Sequence, residues 1–321
     1  MDIDLIKMLK ESGDYISGEE ISKSFGITRS SVWKHIKALK EQGYNIEGIS
    51  RKGYKLISSP DLLLSTEISD KLSTYFIGHN IEYFSEVQST NETAKNLAVD
   101  DFKDGTIIIA EEQKGGKGRL GRNWSSPKGG IWLSIILKPN IEPIHASKVT
   151  QIAAAALVNV LRSMHINALI KWPNDIYINS KKVSGILTEM KCDMDRINYL
   201  IVGVGINVNL DESDLNDEIK GIATSLKIEG SKYYNRVELL TLFLKEFEDL
   251  YMAFVNDNDL SKVLYTCRKH SMLLKKEAYH VTSRGTEAVT CLGINDEGEL
   301  TIRDSNGIEK SVISGEITFR K

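Results

Sequence analysis

Between two runs of aliphatic and β-branched residues, Thr106-Ile-Ile-Ile-Ala110 and Ile131-Trp-Leu-Ser-Ile-Ile-Leu137, lies the stretch Gly115-Gly-Lys-Gly-Arg-Leu-Gly-Arg-Asn-Trp-Ser-Ser-Pro127. The flanking runs have the composition of buried strands. The glycine-rich stretch reads as a loop, because glycine loses more backbone freedom on ordering than any other residue. A chain of this kind must therefore hang a long cationic loop, carrying Lys117, Arg119 and Arg122, between two core strands. Without a Cβ at Gly116 and Gly118, the backbone can approach an anion and turn its amides toward it. A second cationic stretch, Lys171-Trp-Pro-Asn-Asp-Ile-Tyr-Ile-Asn-Ser-Lys-Lys-Val-Ser-Gly-Ile-Leu187, adds Lys171 and Lys182, with Asn174 and Asp175 between them. Together the two stretches have the character of an anion-handling active site.

Common phosphate motifs do not account for the loop. Gly116-x-Gly118-x-x-Gly121 matches the dinucleotide fingerprint as a string, but Arg-Asn-Trp-Ser-Ser-Pro follows where a helix must start. A protein-kinase loop is excluded because the chain has no His-Arg-Asp and no Asp-Phe-Gly. A Walker loop lacks its Gly-Lys-Ser/Thr. A solvated hairpin loop remains as the plain alternative. In the second stretch Pro173 interrupts a strand pattern, so Trp172-Pro-Asn-Asp175 reads as a tight connection presenting polar side chains, with Trp172 as packing. Gly185 permits close approach of a ligand to the strand that follows Lys182, although a surface lysine pair is often merely solvated.

Residues 1 to about 57 read as three short helices and a hairpin. Ile3, Ile6 and Leu9 stripe the first helix. The second opens at the capping box Ser17-x-x-Glu20 and stops at Gly26. Thr28 can cap a third, whose Val32, Ile36 and Leu39 share a face while Arg29, Ser30, Lys34, His35 and Lys37 lie largely off it. This is the helix-turn-helix pattern, and the turn at Arg51-Lys52-Gly53 makes a two-stranded wing. Residues 1–28 hold three basic and six acidic side chains, whereas 29–55 hold seven basic and two acidic. The cationic side, with Thr28, Arg29, Ser30, Ser31, Lys34, His35, Lys37, Arg51 and Lys52, is the side that would meet DNA. A winged helix that binds protein instead is the alternative.

Over all 321 residues, 41 basic and 44 acidic side chains nearly cancel, so any nucleic-acid role must be local. Cys192, Cys267 and Cys291 form no Cys-x-x-Cys pair and read as reduced thiols, not as a disulfide framework or zinc site. With no His-x-x-x-His pair either, no protein-bound transition metal is expected. The acidic start and the lack of an apolar run of roughly 18 residues lead to the expectation of a cytoplasmic protein. Ser58-Ser59-Pro60 reads as a linker to a second domain, past which the pattern is α/β, with a helix near 145–165, strands at 168–171, 175–178, 182–190 and 199–208, and a helix at about 236–255. From about 275 short strands are punctuated by Ser283-Arg-Gly285, Asp296-Glu-Gly298 and Asn306-Gly307, as in a small all-β domain.

Gly-Lys-Gly-Arg-Leu-Gly-Arg-Asn-Trp, Lys-Trp-Pro-Asn-Asp, Lys-Val-Ser-Gly-Ile-Leu and Gly203-Val-Gly-Ile-Asn-Val208 stand in the order and approximate spacing of the bacterial biotin protein ligases. With its amino-terminal winged helix, the chain resembles the bifunctional branch of that family over almost its whole length. The resemblance implies an α/β (α+β) chain of three parts: a winged helix-turn-helix (1–60), a class II synthetase-like biotin/lipoate ligase catalytic domain (61–272), and an SH3-like small β-barrel (273–321). It also implies a two-step reaction. Biotin and ATP, with Mg²⁺, give biotinyl-5′-AMP, and a lysine of a biotin carboxyl carrier protein then takes the biotinyl group. Lys182 and Arg119 would be catalytic. Ser89, Thr90, Asn91 and Gln113 would hold the biotin head, although Ser89 or Thr90 also reads as a helix cap. Gly116, Lys117, Gly118, Arg119, Arg122, Trp124, Lys182, Gly185 and Asn207 would bind the adenylate, and Asn174 and Asp175 would face the triphosphate and its Mg²⁺. Lys117 stands where some members have arginine, which keeps the charge but loses the bidentate fork. The regulatory role implies operator DNA as a partner and a homodimer in the adenylate-bound state. Competing readings are a lipoate ligase, against which the winged helix argues, and a biotin-sensing repressor without ligase activity, against which Arg119 and Lys182 argue.

Overall fold

The computed structural model describes residues 2–99, 102–194, 196–282, 285–313 and 315–319. The chain forms two compact units, Met1–Lys71 and Leu72–Lys321.

In the first unit α1 (Asp2–Ser12), α2 (Gly18–Phe25) and α3 (Arg29–Glu41) precede an antiparallel pair, β1 (Asn45–Ile49) and β2 (Gly53–Ser58), and α4 (Ser65–Lys71) ends it. The Ser17 side chain accepts from the Glu20 amide at 3.1 Å, Gly26 closes α2 in the left-handed conformation, and Thr28 accepts from the Ser31 amide. Leu5, Ile6 and Leu9 of α1 join Ile21, Val32, Ile36, Leu39 and Ile46 in one core. The side chain of Ile3, expected in the same stripe, is not among those described. The unit continues past Pro60, where the sequence reading places a linker. Tyr44 donates to Glu67 Oε1 of α4 at 2.7 Å, and Lys10 Nζ stands 2.9 Å from Glu67 Oε2. Burial pushes the Tyr44 phenol above its ordinary range.

The second unit is built on β3 (Ile81–Phe84), β4 (Thr106–Ala110), β5 (Ile131–Leu137), β6 (Leu169–Lys171), β7 (Asp175–Ile178), β8 (Lys181–Asp193) and β9 (Arg196–Ile206). These make one sheet in the order β3-β4-β5-β9-β8-β7-β6, antiparallel throughout except for the parallel pair β3–β4. The two apolar runs are the neighbouring strands β4 and β5, buried at every residue, so the glycine-rich loop springs from the middle of the sheet. α5 (Thr90–Val99) covers Ile108, Ile136 and Ile201 with Ala94 and Ala98. α6 (Ala146–Ser163) packs on β8 and β9 and against α8 (Arg236–Asp257) and α9 (Ser261–Lys269), with the short α7 (Leu226–Gly230) preceding α8. By length and composition the segment Pro143–Ser163 passes as a membrane span, but 72% of its most apolar window is buried, as in the core helix of a folded unit.

The carboxyl-terminal strands β10 (Glu277–Thr282), β11 (Gly285–Ile294), β12 (Leu300–Asp304), β13 (Glu309–Val312) and β14 (Glu316–Thr318) form an antiparallel sheet in the order β13-β12-β11-β10-β14. Asp296-Glu-Gly298 and Asn306-Gly307 turn between its strands as expected, while Ser283 and Arg284 lie outside the described residues. All three cysteines are free, with burial raising the thiol of Cys267 to about 12 and that of Cys291 to about 11.

Candidate active site

The loop after β4, the amino end of α5, the β6–β7 hairpin, and β8 and β9 converge on a cleft of about 700 Å³. Every residue assigned to it from the sequence lines it: Ser89, Thr90, Asn91, Gln113, Gly116, Lys117, Gly118, Arg119, Arg122, Trp124, Asn174, Asp175, Lys182, Gly185 and Asn207.

One part of its lining is polar, with Ser89, Thr90, Asn91 and Ser126 buried. Gln113 Oε1 accepts from the Thr90 amide at 2.8 Å and from the Thr90 hydroxyl at 3.1 Å, while Gln113 Nε2 donates to Ser126 Oγ at 2.8 Å. Ser134 Oγ donates to Asn91 Oδ1 at 2.6 Å and lies 2.8 Å from Thr90 Oγ1, and Asn91 Nδ2 donates to Glu189 at 2.8 Å. Thr90 is thus engaged with Gln113 of the loop after β4 and with Ser134 of β5 and, as the first residue of α5, leaves the cap position to Ser89, whose carbonyl accepts the first helical bond, from the Thr93 amide. A Cβ at Gly203 would fall 2.2 Å from Asn91 Oδ1, so only glycine on β9 leaves room for that amide. Ser126, Ser134 and Glu189 are absent from the sequence reading. Ser134 had a signal: it is the one hydroxyl in the apolar run of β5, and it is fully buried.

The glycine-rich loop folds back on itself through Trp124 N–H to Gly116 O at 2.9 Å and Gly118 N–H to Arg122 O at 2.7 Å, with an exposed Leu120 at its tip. Its three cations rest on separate partners. Lys117 pairs with Glu92 of α5, and Arg119 donates to Asn174 Oδ1 at 3.1 Å and to Gly315 O at 3.0 Å. Arg122 grips Glu316 bidentately at 2.8 and 2.6 Å, which holds that carboxyl below the usual range. Gly315 and Glu316, from the carboxyl-terminal sheet, form a wall of the cleft that the sequence reading does not place there.

On the opposite strands Lys182 Nζ stands 2.7 Å from Asp175 Oδ1, out of line for a hydrogen bond, and 5.1 Å from the centre of the Trp124 ring. Burial lowers the Lys171 ammonium; Asp175 works against that shift and Lys182 with it. Asn174 Nδ2 donates to Ile186 O at 2.9 Å and Asn207 Nδ2 to Thr224 O at 2.9 Å, so both amides are held in place. Trp172 is buried, joins Pro173 by a cis peptide, and donates its indole N–H to Gly298 O at 3.0 Å, in keeping with a packing role. Gly185 and Gly205 face each other across β8 and β9. Where the sequence leads one to expect a ligand close to Gly185, the close approach is made by Trp124: a Cβ at Gly185 would sit 3.0 Å from the indole, and one at Gly205 would sit 2.5 Å from its Nε1. That Nε1 is buried with no acceptor among the described residues.

In the first unit Arg29 pairs with Glu19, Ser30 lies beside Thr28 Oγ1 at 2.9 Å, and Lys34 is exposed with no ion pair among the described residues. Lys37 lies 3.8 Å from Glu41. His35 Nδ1 is 2.8 Å from Asp2 of α1, so this side chain links two helices. Arg51 is exposed at the wing turn, and Lys52 stands 5.7 Å from the Tyr15 ring centre.

The fold and cleft define the class: residues 83–207 match the model of the biotin/lipoate A/B protein ligase family, and residues 3–55 match that of an HTH domain. The chain is 38% identical to the bifunctional ligase/repressor BirA of Bacillus subtilis (strain 168) over 310 residues, covering 96% of this chain and 95% of that one. It is 27% identical to the Escherichia coli (strain K12) BirA over 97% of this chain and 95% of that one. The biotin protein ligase from Aquifex aeolicus, solved in complex with biotin and ATP, superposes with a TM-score of 0.65 at 30% identity, covering 76% of this chain and 99% of that one. The chain belongs to the family of bifunctional biotin protein ligases and repressors.

Proposed function

We propose that the protein is an ATP-dependent biotin protein ligase that forms biotinyl-5′-AMP, transfers biotin to a lysine of a biotin carboxyl carrier protein, and represses transcription through its helix-turn-helix with biotinyl-5′-AMP as corepressor. The observation that carries the ligase reading is the convergence, in one cleft, of a polar group with donors and acceptors (Gln113 with the buried Ser89, Thr90 and Asn91) and a cationic group (Lys117, Arg119, Lys182). The first suits a ureido head and the second a phosphate. We assign the parts as a DNA-binding region (1–60), a catalytic region (61–272) and an SH3-like region (273–321), working in the cytoplasm.

The chemistry follows from the charges. The biotin carboxylate attacks the α-phosphorus of ATP, the bond to the β,γ-diphosphate breaks, and pyrophosphate leaves. Two anions must meet, so Lys117, Arg119 and Lys182 screen their repulsion and stabilise the charge that builds on the phosphoryl oxygens. The loop cations exchange Glu92, Asn174 and the Gly315 carbonyl for phosphoryl oxygens, which folds the loop over the adenylate and excludes water. Trp124 packs against the adenylate from its seat on Gly185 and Gly205. In the second step the amine of the carrier lysine attacks the carbonyl of the mixed anhydride, and AMP leaves with the bonding electrons. No nucleophile of the enzyme is needed. Asp175, a cleft carboxylate ion-paired with Lys182 and whose Oδ1 makes no hydrogen bond among the described residues, fits the one or two carboxylates with which proteins hold Mg²⁺ beside substrate phosphates. When bound, Mg²⁺ supplies charge neutralisation at the triphosphate.

Exchange of labelled pyrophosphate into ATP tests the reading, with lipoate and octanoate as controls. Exchange with biotin alone is expected. Exchange with lipoate alone would make the protein a lipoate ligase, and binding of biotin without any exchange would make it a sensor only.

A further inference from the structure

The side chains expected from the sequence at the DNA face are all polar or charged, and the structure adds one of another kind. Trp33 lies on α3, the second helix of the helix-turn-helix, and is 55% exposed. The core face of α3 is complete without it, in Val32, Ile36 and Leu39. At 3.6 residues per turn Ser30, Trp33, Lys34 and Lys37 form one outward stripe, and all four are exposed. An indole in water loses the burial free energy that its area can provide. Its surroundings do not suit an apolar protein partner, since Lys37 Nζ stands 5.7 Å from the ring centre and Lys34 is adjacent. A polyanion with an apolar feature between its phosphates does fit.

We propose that Trp33 is a specificity-determining residue of the DNA face, and that its ring reads a thymine C5-methyl group in the major groove. The inference rests on the DNA-binding reading of the first unit. A recognition helix contacts base edges with residues of its amino-terminal part, and Trp33 sits in the second turn of α3. Major-groove thymine is distinguished by its methyl group, which apolar side chains contact. The indole N–H is a donor only, so a neighbouring O4 or N7 acceptor can satisfy it while the ring edge covers the methyl. Lys34 and Lys37 flank the ring and reach phosphates, which set affinity but carry no sequence information. Trp33 and the lysines thus divide the work between specificity and charge.

The test uses the full chain with biotin and ATP. A duplex is first selected from a random-sequence pool by the wild-type protein. Binding is then measured for that duplex, for its single thymidine-to-deoxyuridine replacements, which delete one methyl each, and for an unrelated duplex. Trp33→Ala is expected to bind the selected duplex about ten- to a hundredfold more weakly, with the same slope of log affinity against log salt. A deoxyuridine replacement that weakens the wild type should leave the variant unaffected. Lys34→Ala should instead weaken all duplexes and reduce the salt slope by about one. Unchanged pyrophosphate exchange and circular dichroism show that the variants are folded. If Trp33→Ala keeps both the affinity and the deoxyuridine pattern of the wild type, the role of Trp33 is overturned while DNA binding stands. If the wild type selects no duplex, the DNA-binding reading falls first and takes this inference with it.

Discussion

Arg119 binds two parts of the cleft at once, the Asn174 amide of the β6–β7 hairpin and the Gly315 carbonyl before β14. A single guanidinium therefore couples the loop to both walls, and glycine there removes the charge and both tethers. We expect Arg119→Gly to release biotinyl-5′-AMP, seen as faster adenylate dissociation and as biotin on lysines of proteins other than the carrier. Adenylate retention equal to wild type would refute this. Ser134 bonds to Thr90 and Asn91, which we propose hold the biotin head. Ser134→Ala leaves Thr90 and Asn91 short of a partner, and a hydrogen bond of this kind contributes about 0.5–1.5 kcal/mol. The Michaelis constant for biotin should rise about two- to tenfold with kcat nearly unchanged, the pattern for an interaction equal in ground and transition states. A fall in kcat of the same size would give Ser134 a different role.

At the scale of elements, the loop is clasped to β14 by Arg122 and Glu316. The folded-state pKa of Glu316 is lowered, first by its hydrogen bonds to Arg122. A depressed carboxylate contributes stability that is present above its unfolded value, about 4.3, and lost as pH falls through the folded value. The clasp is therefore intact at neutral pH. Proteolysis within 115–127 should be insensitive to pH between about 6 and 8 and accelerate only in acid. In Glu316→Gln the cleavage should be fast at neutral pH already. A second junction ties α8 to the segment before β3: buried Glu248 accepts from the amides of Tyr75, Phe76 and Ile77, the latter two at 2.9 Å each. Glu248→Leu strands three backbone donors, each costing about 1–3 kcal/mol when buried without an acceptor. Its thermal midpoint should drop by several degrees or more, and Glu248→Gln, which keeps one acceptor oxygen, should fall between. Equal midpoints for Leu and wild type would remove this account.

For the whole molecule, regulation requires that filling the cleft alter DNA binding. In the coupling through dimerisation that we propose, two winged helices would meet a palindromic operator only when the adenylate is present. Sedimentation should show a monomer alone and a dimer with biotin plus ATP; an unchanged association state would exclude this route. The helix-turn-helix, the buried strands β4 and β5 and the loop between them were legible because local rules govern them: caps at Ser17 and Thr28, the 3.6-residue repeat, and glycines that admit no regular element. The cleft residues were legible through family motifs that lie close together along the chain. What local rules do not reach is the partner of each side chain. Sequence could name Lys117, Arg119 and Arg122 but not their resting places on Glu92, Asn174, Gly315 and Glu316, since the last two are supplied by a sheet far along the chain. It could place Gly185 beside an approaching group, but that the group is Trp124, shared with Gly205, depends on the register of β8 against β9. His35 could be put off the buried face, yet its bond to Asp2 depends on how α1 packs on α3. The sequence by itself determined which residues are chemically fit for the task, because composition and local conformation are properties of short stretches. Only the tertiary structure decided which of them meet, because long-range contacts are set by packing and strand register across the whole unit.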